Sequence, residues 1–187
     1  MDHMRVVVDH VFICTAVGAP GADRLRQFGL VEGSPNQHPG QGTACRRFFF
    51  RNAMLELLWV EDVAEARSEQ TRRTKLWERW SEAGRLTSPF GIVLRPAPGT
   101  QEACPFPSWE YSPSSMPGLT LHVAEGAGPE EPMWCYVEAG RPPAEAPAER
   151  RQPLEHPAGL RYVTAVRIVC PSLGQTSHAG NDARRGD

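Results

Sequence analysis

Short apolar runs with a two-residue alternation dominate the chain, broken by glycine, proline and polar clusters. Residues 5–15, RVVVDHVFICT, are dense in β-branched side chains and end in turn material, which predicts a strand. The next stretch, GAPGADRLRQFG, changes period: Pro20 stands near a helix start, Ala22, Leu25 and Phe28 share one stripe, and Gly29 is a stop. Residues 34–43, SPNQHPGQGT, are breakers and polar groups, a loop with room for a short strand. ACRRFFFR and AMLELLWVED then read as two strands joined tightly at Arg51-Asn52, an antiparallel hairpin. Residues 5–61 thus spell β, α, loop, β, β.

The pattern then turns helical. From Val63 to Gly84, Ala66, Trp77 and Trp80 form one apolar stripe among charges, predicting a surface helix capped by Gly84 with both tryptophans in the core. SPFGIVLRP, residues 88–96, is a strand framed by prolines, and LTLHVAEG and EPMWCYVEAG are strand-like. Residues 139–159 hold five prolines and little to bury, so they should run over the surface as a linker or long loop. RYVTAVRIVCP, residues 161–171, reads as the last strand, and residues 172–187 as a frayed, disordered tail. The class is α+β.

Composition narrows the function classes. With 187 residues the chain can bury a sizeable core without disulfides, and 40% apolar and 22% charged residues place it among globular proteins. A net charge of -2 offers no basic field for nucleic acid. The five cysteines, at 14, 45, 104, 135 and 170, are odd in number and lack the paired short spacing of zinc sites, so they read as reduced and structural. Cys45 and Cys135 stand among aromatics inside strands, where a thiol behaves as a small hydrophobe. The first fifteen residues lack the unbroken apolar run of a secretory leader, and no stretch approaches the ~20 apolar residues of a membrane helix. A cytoplasmic protein without a membrane partner is the expectation.

Candidate chemistry comes from two interruptions of the apolar pattern. Alternation puts Val6, Val8, His10, Phe12 and Cys14 on one face of the first strand, and Met54, Glu56, Leu58 and Val60 on one face of the second hairpin strand. A carboxylate buried among such neighbours without a partner costs several kcal/mol or loses its charge through a raised pKa. Glu56 therefore requires an arginine, a histidine, a metal ion or water beside it. His10, in a similar setting, is a neutral imidazole and a common metal ligand.

Other residues carry weaker signals. Arg46 and Arg47 point to opposite faces, and Arg46, which shares a face with Phe48 and Phe50, is expected inside as a partner for Glu56 or for a substrate carboxylate. Trp59, Trp109, Tyr111 and Trp134 are candidates for lining an apolar binding pocket, and core packing explains them equally well. His38 and His156 both occur in HP turns and read as backbone-bonded structural histidines. HPGQGT lacks the helix and lysine of a phosphate cradle, and no serine lies in a strand-to-helix elbow.

VDHVFICT, the following helix and HPGQGTACRRFFFRNAMLELLWVED together resemble the first βαβββ module of a glyoxalase-like domain of the vicinal oxygen chelate superfamily. The resemblance covers roughly residues 5–61 and implies a curved mixed sheet, a half-barrel of two such modules around a pocket. It implies one domain over 1–171, with residues 86–171 as a degenerate second module. His10 and Glu56 match the superfamily's first-module metal ligands, so the resemblance implies a divalent ion such as Zn, Mn, Fe or Ni. The second module departs from the pattern: Gly91 or Ala165 falls opposite His10, and His122 is the best third ligand. The implied function is an enzyme of lyase, isomerase or dioxygenase type acting on a small oxygenated molecule. Glu56 would be base or ligand there, and His10 ligand or proton partner. The alternative is a metal-free protein of the same fold that binds or sequesters a small molecule. Superfamily members often pair, which implies a homodimer.

Overall fold

The computed structural model describes residues 5–83, 85 and 87–169. The Gly84 cap, Cys170 and the tail over 172–187 lie outside them. Eight strands form a single open, mixed sheet with few helices, an α+β architecture. In chain order they are β1 (Val6–Cys14), β2 (Asn36–His38), β3 (Thr43–Phe49), β4 (Met54–Val60), β5 (Phe90–Pro96), β6 (Ser108–Tyr111), β7 (Leu121–Ala124) and β8 (Met133–Tyr136). Their order across the sheet is β2-β3-β4-β1-β5-β8-β7-β6. β1 runs parallel to β4, β5 runs parallel to β8, and β1 and β5 meet antiparallel at the centre. The connectivity of the first four strands is therefore repeated by the last four. The first half carries helix α1 (Gly21–Gln27) after its first strand, whereas residues 97–107 hold no helix.

Both faces of the first half are covered. On one face Ala22 and Leu30, from α1 and the turn after it, pack with Phe48, Phe50 and Leu57. On the other, Phe12, Cys14, Cys45 and Leu58 join Val93, Val123, Met133 and Cys135 of the second half. Gly29 ends α1 with φ 101°, a conformation costly for any residue with a Cβ. The sheet curls until its two edges touch: the Tyr111 hydroxyl at the end of β6 donates to Gln41 Oε1 in the β2–β3 turn at 3.1 Å.

Two expected elements differ. The helix predicted over 63–84 is broken into α2 (Val63–Ala66), a 3-10 turn (Arg72–Thr74) and α3 (Leu76–Ser81). Lys75 sits between the last two with φ 57°, which no continuous helix admits. Trp80 is half-buried against the core and donates its indole N–H to the Thr15 carbonyl at 2.7 Å, while Trp77 is half-buried beside it rather than in the core. Residues 161–169 form no strand although their composition favours one. Asn52 instead pins Val163 by two side-chain bonds of 2.8 and 3.0 Å, and Tyr162 and Val169 stay exposed.

The Pro-rich stretch 139–159 follows the surface, as its composition predicts, but it is strapped down. The buried His156 accepts from Val31 N–H at 3.0 Å through Nδ1 and donates to the Phe49 carbonyl at 2.9 Å through Nε2. Gln152 Oε1 accepts from Ser34 N–H at 2.9 Å, and Ala158 N–H donates to the Gly29 carbonyl at 3.0 Å. Among the described residues no helix is long and apolar enough to cross a membrane.

Candidate functional site

The inner face of the curled sheet encloses a cavity of about 450 Å³ reached by side chains from nearly every strand. Glu56 opens onto it from β4, buried to 7% exposure. Two imidazoles flank this carboxylate. His10 Nε2 lies 4.0 Å from Oε2, and His38 Nε2 lies 4.0 Å from Oε1. These gaps exceed a hydrogen bond. Two ligands of one zinc ion, with bonds of about 2.1 Å at the tetrahedral angle, lie about 3.4 Å apart.

Each histidine is oriented by its other ring nitrogen. His10 Nδ1 donates to Asp9 Oδ1 at 2.7 Å, since a carboxylate only accepts. Asp9 is in turn held by the buried Arg95, whose Nε approaches Oδ2 at 3.3 Å without hydrogen-bond alignment. His38 Nε2 accepts from Asn36 Nδ2 at 2.9 Å, so its proton sits on Nδ1 and goes to Thr43 Oγ1, also at 2.9 Å. Gln41 Nε2 donates to the same hydroxyl at 2.8 Å. This is the outer-shell arrangement that fixes tautomer and ring plane in metal-binding histidines.

A bulge makes the site possible. The β1–β5 register slips between Val8 and His10, leaving Asp9 as the extra residue. The alternation of β1 changes phase there. Val6 and Val8, expected on the His10 face, pack instead on the outer cluster with Ile92 and Leu94, while Phe12 and Cys14 follow His10 to the inner face. Asp9 and His10 both line the cavity as a result.

His38, Cys45 and Glu56 are all buried, with ligand atoms mutually within 4.8 Å, and this group can hold a metal ion. Burial, with the Glu56 charge beside it, pushes the Cys45 thiol far up, which keeps it protonated. Burial likewise raises Cys14 and Cys135 to about 12. His10 is raised from its ordinary value: burial lowers it, and the bond to Asp9 with the charges of Asp9 and Glu56 outweighs that. His38 is lowered, chiefly by burial. His10 lies outside the His38, Cys45 and Glu56 group, and a group of imidazole, carboxylate and thiol donors is of the kind that suits the borderline ions Zn and Fe better than Ca or Mg.

In the β1–β5 register Val93, not Gly91, stands opposite His10, and it offers no ligand; Gly91 pairs with Phe12, whose ring a Cβ at Gly91 would approach to 1.9 Å. Ala165 lies in the strandless segment after the strap.

Several expected site residues face elsewhere. Arg46 points away from the cavity to the α1 side, bridging Glu32 at 2.7 Å and Asp23 at 2.9 Å. The Phe48/Phe50 face, expected to be the interior, is the face under α1. Arg47 lines the cavity instead. His122 is turned to the outer side of β7, with Glu138 at 3.7 Å and the Tyr136 ring next to it, because Leu121 and Val123 take the inner side. Trp59 packs with the α1 cluster and Trp134 with the outer cluster. Trp109 lies at the edge of the core under the Arg73 guanidinium, 4.3 Å from its ring centre. Of the four aromatics only Tyr111 lines the cavity.

Sequence reasoning passed over His38, Asp9 and Arg47. The N-x-H spacing of Asn36 and His38, read as a strand pairing with TAC, would have placed both on one face.

No protein-family model matches the chain, and no curated protein does. A solved structure to which it is similar is a hypothetical protein from Staphylococcus aureus, at 13% identity and a TM-score of 0.39. The likeness covers 71% of this chain and 59% of that one.

Proposed function

We propose that the chain is an enzyme of the vicinal oxygen chelate kind, binding a divalent ion and acting on a small oxygenated molecule in the cavity. The observation that carries this is the pair of oriented imidazoles, each with its Nε2 4.0 Å from one oxygen of a buried carboxylate that opens onto empty space. His10, His38 and Glu56 would hold the ion, with Cys45 beneath them and Asn36 releasing His38 Nε2. Such an ion acts as a Lewis acid that polarises a substrate oxygen. The chain's own part is to orient: Asp9 and Thr43 hold the two rings, and the apolar wall excludes water. Zn or Fe fits this donor set. The half-barrel reading rests on the repeated strand connectivity and on the contact between the sheet's two edges.

The test is metal content after dialysis against zinc, manganese and iron. One ion per chain is expected, falling to a tenth or less in Glu56→Ala and in His38→Ala with unfolding temperatures that stay within a few degrees. Equal metal content in the variants refutes the site.

A metal-free binding protein is the second reading. It is favoured by the second half of the cavity wall, where Val93, Leu121, Met133 and Val137 offer no donor.

A further inference from the structure

Among the groups lining the cavity, the polar Glu56, His10, His38 and Arg47 come from β1 to β4 and the apolar Val93, Leu121, Met133 and Val137 from β5 to β8 and the residue after it, while the exposed Arg141 and Arg150 of the strap also line it. A molecule filling it therefore presents an oxygen-bearing end to the first group and an apolar body to the second.

Charge decides what that end is. Three guanidinium groups line the cavity, Arg47 from β3 and Arg141 and Arg150 from the strap, and among the described residues none has a carboxylate within 4.0 Å. Two carboxylates also line it. Asp9 is engaged by His10 at 2.7 Å and Arg95 at 3.3 Å, and Glu56 faces the two imidazoles. Arg141 and Arg150 are exposed, so the half-buried Arg47 is the cation that bears most on the cavity's charge.

Arg47 is built as an anchor. Its Nε and Nη2 donate to the Ser34 carbonyl and hydroxyl, both at 3.0 Å, and the guanidinium lies over the Phe49 ring at 5.2 Å. Nη1 has no partner among the described residues. Nη2 also reaches the Pro35 carbonyl at 3.5 Å, so the Nε–Nη2 side of the fork is locked and Nη1 is left as the donor to an incoming anion. Arg47 stands opposite Glu56 in the β3–β4 register, so the anchor and the candidate metal site are carried by neighbouring strands.

We propose that the cavity takes a small organic carboxylate with an apolar body, its carboxylate on Arg47 and its body against the Val93–Met133 wall. This deepens the functional reading and rests on it in one respect. A divalent ion beside Glu56 reverses the local charge, so ion and carboxylate bind cooperatively, each raising the affinity of the other by the same factor.

The test uses 3-phenylpropanoate and its neutral twin 3-phenylpropanamide, titrated into the full chain by calorimetry, first chelated and then with zinc. The carboxylate should bind the chelated chain about tenfold tighter than the amide. Zinc should tighten the carboxylate several-fold more and leave the amide unchanged. Arg47→Ala should abolish the preference, with Arg47→Lys intermediate. Met133→Trp, which fills the apolar half and leaves Arg47 in place, should abolish binding of both. Equal affinity for acid and amide in the unaltered chain overturns the proposal whatever the variants do. Should zinc fail to bind while the acid preference and its Arg47 dependence persist, the metal reading falls and the anion site stands. Stoichiometric zinc with no acid preference does the reverse.

Discussion

Each oxygen of Glu56 faces one histidine nitrogen, and the pKa values of the two histidines are shifted in opposite directions, His10 up and His38 down. Without metal, His10, whose pKa is raised in the fold, adds stability that is fully present below its ordinary value of 6.5 and is lost as pH rises through the raised value. His38, whose pKa is depressed, adds stability present above 6.5 and lost as pH falls through the lowered value. The two windows adjoin, so the chelated chain should show a stability maximum near 6.5. Unfolding temperatures followed from about pH 4 to 9 check this. His10→Asn should flatten the alkaline limb and His38→Asn the acid limb; a uniform offset in either variant refutes the assignment. Asp9→Asn keeps the bulge but weakens the grip on His10 Nδ1, and zinc affinity measured by competition with a chelator should fall about 10- to 100-fold.

Among the elements, β1 and the strap do most to shape the site. The Asp9 bulge lets one strand feed the outer cluster with Val6 and Val8 and the cavity with His10 and Phe12. Gly91 on β5 accepts the Phe12 ring, so Gly91→Ala should overpack the sheet and cost about 1–3 kcal/mol in urea unfolding. The strap is held where His156 satisfies two backbone groups. His156→Ala leaves both without their partner, at about 1–3 kcal/mol for each that stays buried. The expected readout is a lower urea midpoint together with faster proteolysis within 139–159 than elsewhere.

At the scale of the whole molecule, curvature of the sheet turns eight strands into a container. Tyr111 and Gln41 join its two edges, and burial pushes the Tyr111 phenol up to about 12, so this donor keeps its proton across the physiological range. Tyr111→Phe should cost about 1 kcal/mol of stability. Its larger expected effect is faster dissociation of 3-phenylpropanoate, read by stopped-flow tryptophan fluorescence, because the edge beside the cavity is no longer closed.

Local patterning by itself determined the strands over VVVDHVFIC, the FFF and MLELLWV hairpin, the helix after Pro20 and the wandering strap, since alternation, breakers and proline act through near neighbours. It also exposed Glu56 and His10, because ionisable groups inside apolar runs require compensation whatever the fold. It did not reveal which face of β3 is the interior. Both faces of that strand are buried, one under α1 and one on the cavity, so the face shared with Phe48 and Phe50 pointed to Arg46 as the interior arginine, whereas that face lies under the helix and Arg47 lines the cavity. Nor did it mark His38, which reaches Glu56 only through the β2–β3 pairing, or show that 161–169 would lie unpaired despite strand composition. Those outcomes depend on which surfaces meet across long sequence separations, and only the tertiary structure decides that.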